Sequence, residues 1–312
     1  MSALHILTGQ TASGKAAVAV CVAGRTNAEL ISVDSMKVYR GLDIGTGKPP
    51  RAIRETVPFH LLDVVGPNES FSLAQYLQRA RAALEEIRAR GRPALFVGGT
   101  PLYLRGLLYG IFDGPAADWA LRGELMRKAQ QQGPEVLHKE LRELDPVAAG
   151  RLHPRDLVRV IRALEVARVS GRPISSHQRQ YPAPEGPVAA HRMVALRRSE
   201  ADLKDRIHRR IARMFAAGLL DEVRAVLEGP GFSRPAQKAI GYREAIGHLQ
   251  GVRSLGETME LIERNTWRMA RKQRAWLKSF PAVQWLDVAA DEPAEATAEK
   301  VRRLLFTAEN LN

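Results

Sequence analysis

The stretch LTGQTASGKAAVAV, residues 7–20, places Gly9, four intervening residues, then Gly14 and Lys15. That is the spacing of a backbone loop that cradles phosphates. Leu4 to Thr8 ahead of it reads as a short buried strand and Lys15 to Ala23 behind it as a helix, which is the context the motif requires. Gly9 and Gly14 let the main chain approach an anion with no Cβ in the way. The helix N-terminus adds partial positive charge, and Lys15 supplies a mobile ammonium. Nothing in this arrangement requires a nucleotide. The residue after the lysine, commonly Ser or Thr, is Ala16, so the hydroxyl that would reach a magnesium ion on the phosphates is missing.

Working outward, 312 residues suggest about two domains with apolar content for a sizeable core. The single cysteine, Cys21, excludes an intrachain disulfide and a cysteine metal cluster, and its apolar surroundings predict a core position in a reducing compartment. No basic stretch followed by an apolar run opens the chain. The longest apolar run, Ala16 to Gly24, is far short of the roughly 20 residues that cross a bilayer. A cytoplasmic protein without membrane contact is the expectation.

Charge is unevenly spread. The total is +13, of which residues 1–120, with 13 Lys/Arg and 10 Asp/Glu, hold only +3. In RNTWRMARKQRAWLKSF (264–280), helical spacing puts Trp267, Arg271, Arg274 and Lys278 on one face and Met269, Gln273, Trp276 and Phe280 on another. A cationic stripe backed by a buried stripe can track a phosphate backbone. In RDLVRVIRALEVAR (155–168), Arg155, Arg159 and Arg162 share one face, and Leu157, Val160, Ile161 and Leu164 the other. The two patterns favour nucleic acid as partner.

The first part of the chain reads as a parallel α/β domain, with strands at Leu4–Thr8, Glu29–Val33, His60–Val65 and Ala94–Val97. A helix runs from a Ser70 or Ser72 cap to the stop at Gly91. From about Gly114 to Pro187 the pattern is helices and turns without strands, closing in YPAPEGP, a linker signature. HRMVALRR and AVQWLDV further on read as strands returning to the first sheet. The division expected is a P-loop core of residues 1–113 and 190–312 around a helical insertion of residues 114–189.

A second motif, ELISVDSMKVYRGLDIGTGKP (29–49), follows a buried strand with Asp34 and Ser35 at its carboxyl end, where open α/β sheets bind ligands. Together with the phosphate loop, LFVGGTPLYLRGLLYG (95–110), KAIGYRE (238–244) and ARKQRAWL (270–277), it makes nearly the whole chain resemble the tRNA dimethylallyltransferases. The resemblance implies a P-loop NTPase-like parallel sheet with a helical insertion. It also implies transfer of the dimethylallyl group of dimethylallyl diphosphate to the exocyclic N6 amine of the adenosine 3′ to the anticodon, in the anticodon stem-loop of a tRNA.

Carried over to this sequence, the resemblance assigns the diphosphate to the loop Gly9, Gln10, Thr11, Ala12, Ser13, Gly14, Lys15 and Ala16, with Arg210; Arg206, one turn earlier, either assists there or is a surface arginine. It places Asp34 at the accepting amine and Thr100 beside the adenosine. An adenine amine is a poor nucleophile, so a carboxylate that takes its proton as the bond forms lowers the barrier. The catalytic set implied is therefore Asp34, Thr100, Lys15 and Arg210. Contacts to tRNA would come from Asp34, Ser35, Met36 and Lys37, and from Val158, Arg159, Val160, Ile161 and Arg162. Further contacts fall at Lys238, Ala239, Ile240, Gly241, Tyr242 and Arg243, and at Arg271, Lys272, Gln273, Arg274, Ala275, Trp276, Leu277 and Lys278.

Four residues depart from the family pattern: Ala16, Phe59 in place of a histidine, Trp267 in place of an arginine, and Ala275 in place of a threonine. None belongs to the catalytic set, so an active enzyme is expected, with Mg2+ carried by the diphosphate and held weakly because of Ala16. The alternatives are a prenyltransferase acting on free adenine nucleotides and a tRNA-binding relative that has lost catalysis. A monomer is the default expectation, since no apolar heptad is evident.

Overall fold

The protein is described from a computed structural model, which covers residues 3–111, 114–180 and 191–306. The linker signature at 181–187 lies outside the described residues. Two compact units result: residues 1–108 with 189–312, and residues 109–188.

The first unit opens with β1 (Leu4–Gly9), α1 (Lys15–Thr26), β2 (Glu29–Val33), α2 (Arg51–Thr56), β3 (Phe59–His60), α3 (Leu73–Ala89), β4 (Ala94–Gly98) and α4 (Pro101–Tyr109). The second unit holds α5 (Trp119–Gln132), α6 (Pro134–Leu144), α7 (Pro146–Arg151), α8 (Leu157–Ser170) and α9 (Ile174–Gln180). The chain returns to the first unit with β5 (His191–Arg197), α10 (Glu200–Ala216), α11 (Leu219–Glu228), α12 (Arg234–Gln237), α13 (Tyr242–Leu249), α14 (Leu255–Leu277), β6 (Val283–Asp287) and α15 (Ala294–Leu305).

All six strands are parallel, in the order β3-β2-β4-β1-β5-β6. Strands buried on both faces need continuous apolar runs rather than alternation, and every residue of β1 and of β2 is buried. Leu7, Leu30, Leu95, Val194 and Leu196 of the sheet pack with Val18 and Val22 of α1 and Val301 and Leu305 of α15. The helix expected after Ser70 or Ser72 starts at Ser72, whose Oγ accepts from the Gln75 amide while the Gln75 side chain accepts from the Ser72 amide. This reciprocal pairing satisfies two amides that the first turn leaves without helical partners.

One strand is shorter than its sequence pattern predicts. Of the run His60–Val65 only His60 belongs to the strand, Phe59–His60, and Val65 makes an isolated bridge to Tyr39. Leu61 and Asp63 take left-handed backbone conformations, φ 62° and 55°, which end the extended chain. The turn brings the Asp63 carboxylate to Lys48 Nζ at 2.5 Å and Arg54 Nη1 at 2.7 Å. Cys21 also differs from expectation: it lies half-buried at the edge of the core, its Sγ 3.9 Å from Glu295 Oε1.

The second unit has its own core of Leu125, Leu137, Leu141, Val160, Ile161 and Leu164. Glu165, with none of its surface exposed, sits among them. It accepts from Arg122 Nε at 2.8 Å, from Arg162 Nη1 at 2.6 Å and from the Asp118 amide at 2.7 Å. Burial raises its pKa, but the bonds from Arg122 and Arg162 outweigh that and hold it below the usual value.

Candidate active site

The strand order decides which loops meet. Because β4 lies between β2 and β1, the carboxyl ends Val33, Gly98 and Gly9 stand side by side, and open α/β sheets bind ligands outside such ends. Gly98 faces Val33 so closely that a Cβ there would come within 2.1 Å of the Val33 carbonyl oxygen. Any side chain would push the strands apart at the site. Beyond it, the Thr100 amide donates to Val33 O at 3.2 Å, and Thr100 Oγ1 accepts from the Ser35 amide at 3.1 Å. The hydroxyl proton of Thr100 thus remains to be donated. Asp34 Oδ1 accepts from the amides of Met36 at 2.9 Å and Lys37 at 3.3 Å, which fixes the carboxylate at the strand end.

A cavity of about 550 Å³ opens there, lined by the phosphate loop, Asp34 to Lys37, Gly45 to Gly47 and Thr100. Six cationic side chains line it: Lys15, Lys37, Arg206, Arg209, Arg210 and Arg213. Asp34 is the one carboxylate among the lining residues. Like charges this close lower one another's affinity for protons. Lys15 is pushed down to about 7, chiefly because protein atoms crowd its ammonium, and further by Lys37; Asp34 opposes the shift. Burial likewise lowers Lys37 and Arg210. The cleft therefore carries excess positive charge that an anionic ligand would relieve.

Several residues expected to act independently are held by specific partners. Lys15 Nζ donates to Gln10 O at 3.0 Å. Gly14 begins α1 at φ 91°, and Ala12 lies at φ 62°, a conformation costing about 1–2 kcal/mol for a residue with a Cβ. Not every loop amide points at an anion, since Thr11 N donates to Gln273 Oε1 at 2.7 Å. Gln273 Nε2 donates in turn to Gly99 O at 2.8 Å, and Gln10 Nε2 to Ala270 O at 3.1 Å. Arg210 donates to Thr11 Oγ1 at 3.1 Å and to Thr46 O at 3.3 Å. Arg206 lines the cleft, tied to Asp202 at 3.0 Å. Ser13 is buried, and Ala16 faces the cavity without an oxygen to offer.

The stretches expected to meet tRNA are only partly on the surface. Val158 is 77% exposed, whereas Val160 and Ile161 lie in the core of the second unit. Of the expected face Arg155, Arg159 and Arg162, Arg155 precedes the Asp156 cap of α8, while Arg162, partly exposed, also bonds Glu165 and Pro115 O. In the 238–243 segment, Lys238 and Arg243 are exposed, Ile240 is half-buried at the cleft, and Ala239, Gly241 and Tyr242 are buried.

On α14 the buried stripe is Ile262, Thr266, Ala270 and Leu277, not Met269, Gln273 and Trp276. The reason is that the helix packs on Leu203, Ile207 and Ile211 of α10, which rotates Met269 and Gln273 toward the cleft. Phe280 is buried but lies beyond the helix end. Arg271, Lys272, Ala275 and Lys278 are exposed and Trp276 half-buried, while Arg274 Nη1 approaches Glu200 at 3.7 Å.

Other residues were not singled out from sequence. Arg198 donates to Ser13 O at 2.8 Å and to Asp202 at 2.9 Å, bracing the phosphate loop. Arg209 and Arg213 join Arg206 and Arg210 along the cleft. Their spacing in DRIHRRIARM is that of one helical face, a signal that was available in the sequence.

A model of the IPP transferase family matches residues 37–280, and a second, for isopentenyl transferases, matches residues 2–63. The chain belongs to the IPP transferase family, that of the tRNA dimethylallyltransferases. Curated members of this family include a tRNA dimethylallyltransferase of Geobacter sulfurreducens, 41% identical over 92% of this chain and 93% of the relative. One from Anaeromyxobacter sp. is 44% identical over 92% and 95%. A solved tRNA isopentenylpyrophosphate transferase from Bacillus halodurans superposes with a TM-score of 0.72 at 35% identity, covering 100% of this chain and 97% of that one. A eukaryotic dimethylallyltransferase solved acting on tRNA gives 0.78 at 25% identity over 92% and 74%. The P-loop NTPase-like fold of this family member, and its standing as a prenyltransferase enzyme, agree with the reading of its motifs.

Proposed function

We propose that the protein transfers the dimethylallyl group of dimethylallyl diphosphate to N6 of the adenosine 3′ to the anticodon of tRNA, releasing diphosphate. The observation that carries this is the meeting, in one cleft, of a single fixed carboxylate and a phosphate loop rimmed by six cationic side chains. As N6 bonds to the allylic carbon, the carbon–oxygen bond to diphosphate breaks and its electron pair leaves with the diphosphate. Lys15, Arg210 and the loop amides take up that charge. Asp34 accepts the N6 proton, and Thr100, whose own proton is uncommitted, holds the adenine. The base must leave its stack to enter, which an unpaired loop allows at a cost of a few kcal/mol.

Mg2+ is commonly held largely by substrate phosphates and water, which suits a cleft whose one carboxylate is Asp34 and whose loop lacks a hydroxyl at Ala16. With Asp34 engaged as the base, the diphosphate oxygens and water would hold it, and the ion would neutralise the leaving group. No helix among the described residues is long and apolar enough to cross a membrane; we read the protein as a cytoplasmic monomer.

Single-turnover transfer from labelled dimethylallyl diphosphate tests the reading. An unmodified anticodon stem-loop should be prenylated and AMP should not; preferential labelling of AMP would replace the tRNA with a free nucleotide.

A further inference from the structure

Outside the cleft, the Glu222 carboxylate of α11 makes an unusual set of bonds. It accepts from three successive backbone amides, those of Asp43 at 2.8 Å, Ile44 at 2.8 Å and Gly45 at 3.2 Å. Tyr242 donates its hydroxyl to the same group at 2.5 Å. Successive amides turned inward form a concavity that binds anions; here the anion is part of the chain. The far end of this loop is held separately. Lys48, its ammonium almost fully buried, donates to Tyr39 O at 2.6 Å and to Asp43 Oδ1 and Asp63 Oδ1 at 2.5 Å each.

Between these two anchors lie Gly45, Thr46 and Gly47, which line the cleft. Gly45 rests on the Tyr242 ring, where a Cβ would fall 2.4 Å from Cε2. Thr46 O accepts from Arg210 Nη2 at 3.3 Å, and the second bond of Arg210, to Thr11 Oγ1, reaches the phosphate loop. Glu222 itself does not line the cleft.

From this chain of contacts we infer that Glu222 is a positioning residue for the prenyl-diphosphate subsite: by filling the amide concavity at Asp43–Gly45 it sets the Thr46 carbonyl that aims Arg210 at the leaving group. The inference rests on the assignment of this cleft to the diphosphate. A charge-assisted acceptor bonded to three amides is stronger than a neutral one, so the loop should shift when the carboxylate is removed. Arg210 then keeps its charge but loses its aim.

The test is calorimetric binding of inorganic diphosphate and, separately, of an anticodon stem-loop to the full-length protein, with single-turnover transfer measured alongside. Glu222→Gln keeps the volume and one acceptor oxygen and should weaken diphosphate about 3-fold; Glu222→Ala should weaken it about 10-fold or more. Stem-loop affinity should stay within about 2-fold for both. In an Arg210→Ala background, Glu222→Ala should cost little further, because the residue it positions is already gone.

Fully additive losses, unchanged diphosphate affinity, or equal losses for diphosphate and RNA would each overturn the positioning role. Unfolding of Glu222→Ala leaves Glu222→Gln, singly and with Arg210→Ala, to decide the same question. If wild type binds diphosphate but transfers no prenyl group to RNA, the proposed function fails while the binding comparison still stands.

Discussion

At the scale of single residues, Asp34 does two jobs with one carboxylate. Oδ1 ties down the amides of Met36 and Lys37, while the group faces the cleft as its one acidic liner. Asp34→Asn retains an oxygen for those amides but removes the base. It should lower turnover by at least about 100-fold while tRNA affinity stays within a few fold; single-turnover rates beside binding isotherms check this, and parallel losses would point to a structural role instead. Lys15 yields a pH prediction. Its pKa in the free protein is about 7, and an adjacent diphosphate favours the ammonium and so raises the value in the complex. Binding then takes up a proton. Donor affinity should be fully developed below about pH 7 and fall as pH rises toward the pKa of the complex, by at most about tenfold per unit. Calorimetry in buffers of different ionisation enthalpy reads the proton uptake directly, and a flat profile would mean that Lys15 stays charged throughout. Ala16 offers no oxygen to the cavity, so Ala16→Thr should lower the magnesium concentration for half-maximal rate; an unchanged magnesium titration would show that this position plays no part in holding the ion.

At the scale of elements, α14 serves two surfaces. Its inner side carries Gln273, which bridges the phosphate loop and the end of β4, and its outer side carries Arg271 and Lys278 in solvent. The periodicity of residues 264–280 showed a cationic face but misplaced the apolar one, because a helix with several half-apolar faces takes its rotation from what it packs against, here Ile207 and Ile211 of α10. The Arg274 contact with Glu200 joins two partly exposed groups, and surface pairs of this kind contribute about 0–1 kcal/mol. That is too little to keep Arg274 from a phosphate. Replacing Arg271 and Arg274 by Ala should weaken binding to all tRNAs and flatten the plot of log affinity against log salt by about one unit for each phosphate that is no longer neutralised. An unchanged slope in a salt titration would leave both arginines as solvated charges.

Across the whole molecule, each unit closes its own core, and each buries a charge that only its own fold neutralises. In the second unit that charge is Glu165. Glu165→Ala would leave Arg122 and Arg162 facing each other without their carboxylate, and removing one partner of a buried ion pair costs about 3–5 kcal/mol. The lower end applies because both arginines retain some exposure. Hydrogen exchange should show reduced protection of α5 and α8, with protection of the parallel sheet kept; unchanged exchange in α8 would mean that apolar packing alone holds it.

By itself the sequence determined the parallel sheet, the phosphate loop and the residues at its strand ends. These depend on local rules: apolar runs that suit strands buried on both faces, glycines where backbone approaches backbone, and a helix start aimed at an anion. The run His60–Val65 marks the limit of such rules, since its pattern reads as a strand until Asp63 turns to meet Lys48 and Arg54. What only the tertiary structure decided is which charges are free to act. Arg162, an expected RNA contact, also pairs with Glu165; Gln273, another, also clasps the phosphate loop; and Glu222 carried no motif yet holds the loop that contacts Arg210. The partners Thr11 and Gln273 are separated by 262 positions, and Ile44 and Glu222 by 178. Pairings at that distance leave no periodicity in the chain; the strand order and helix packing that bring the groups together create them.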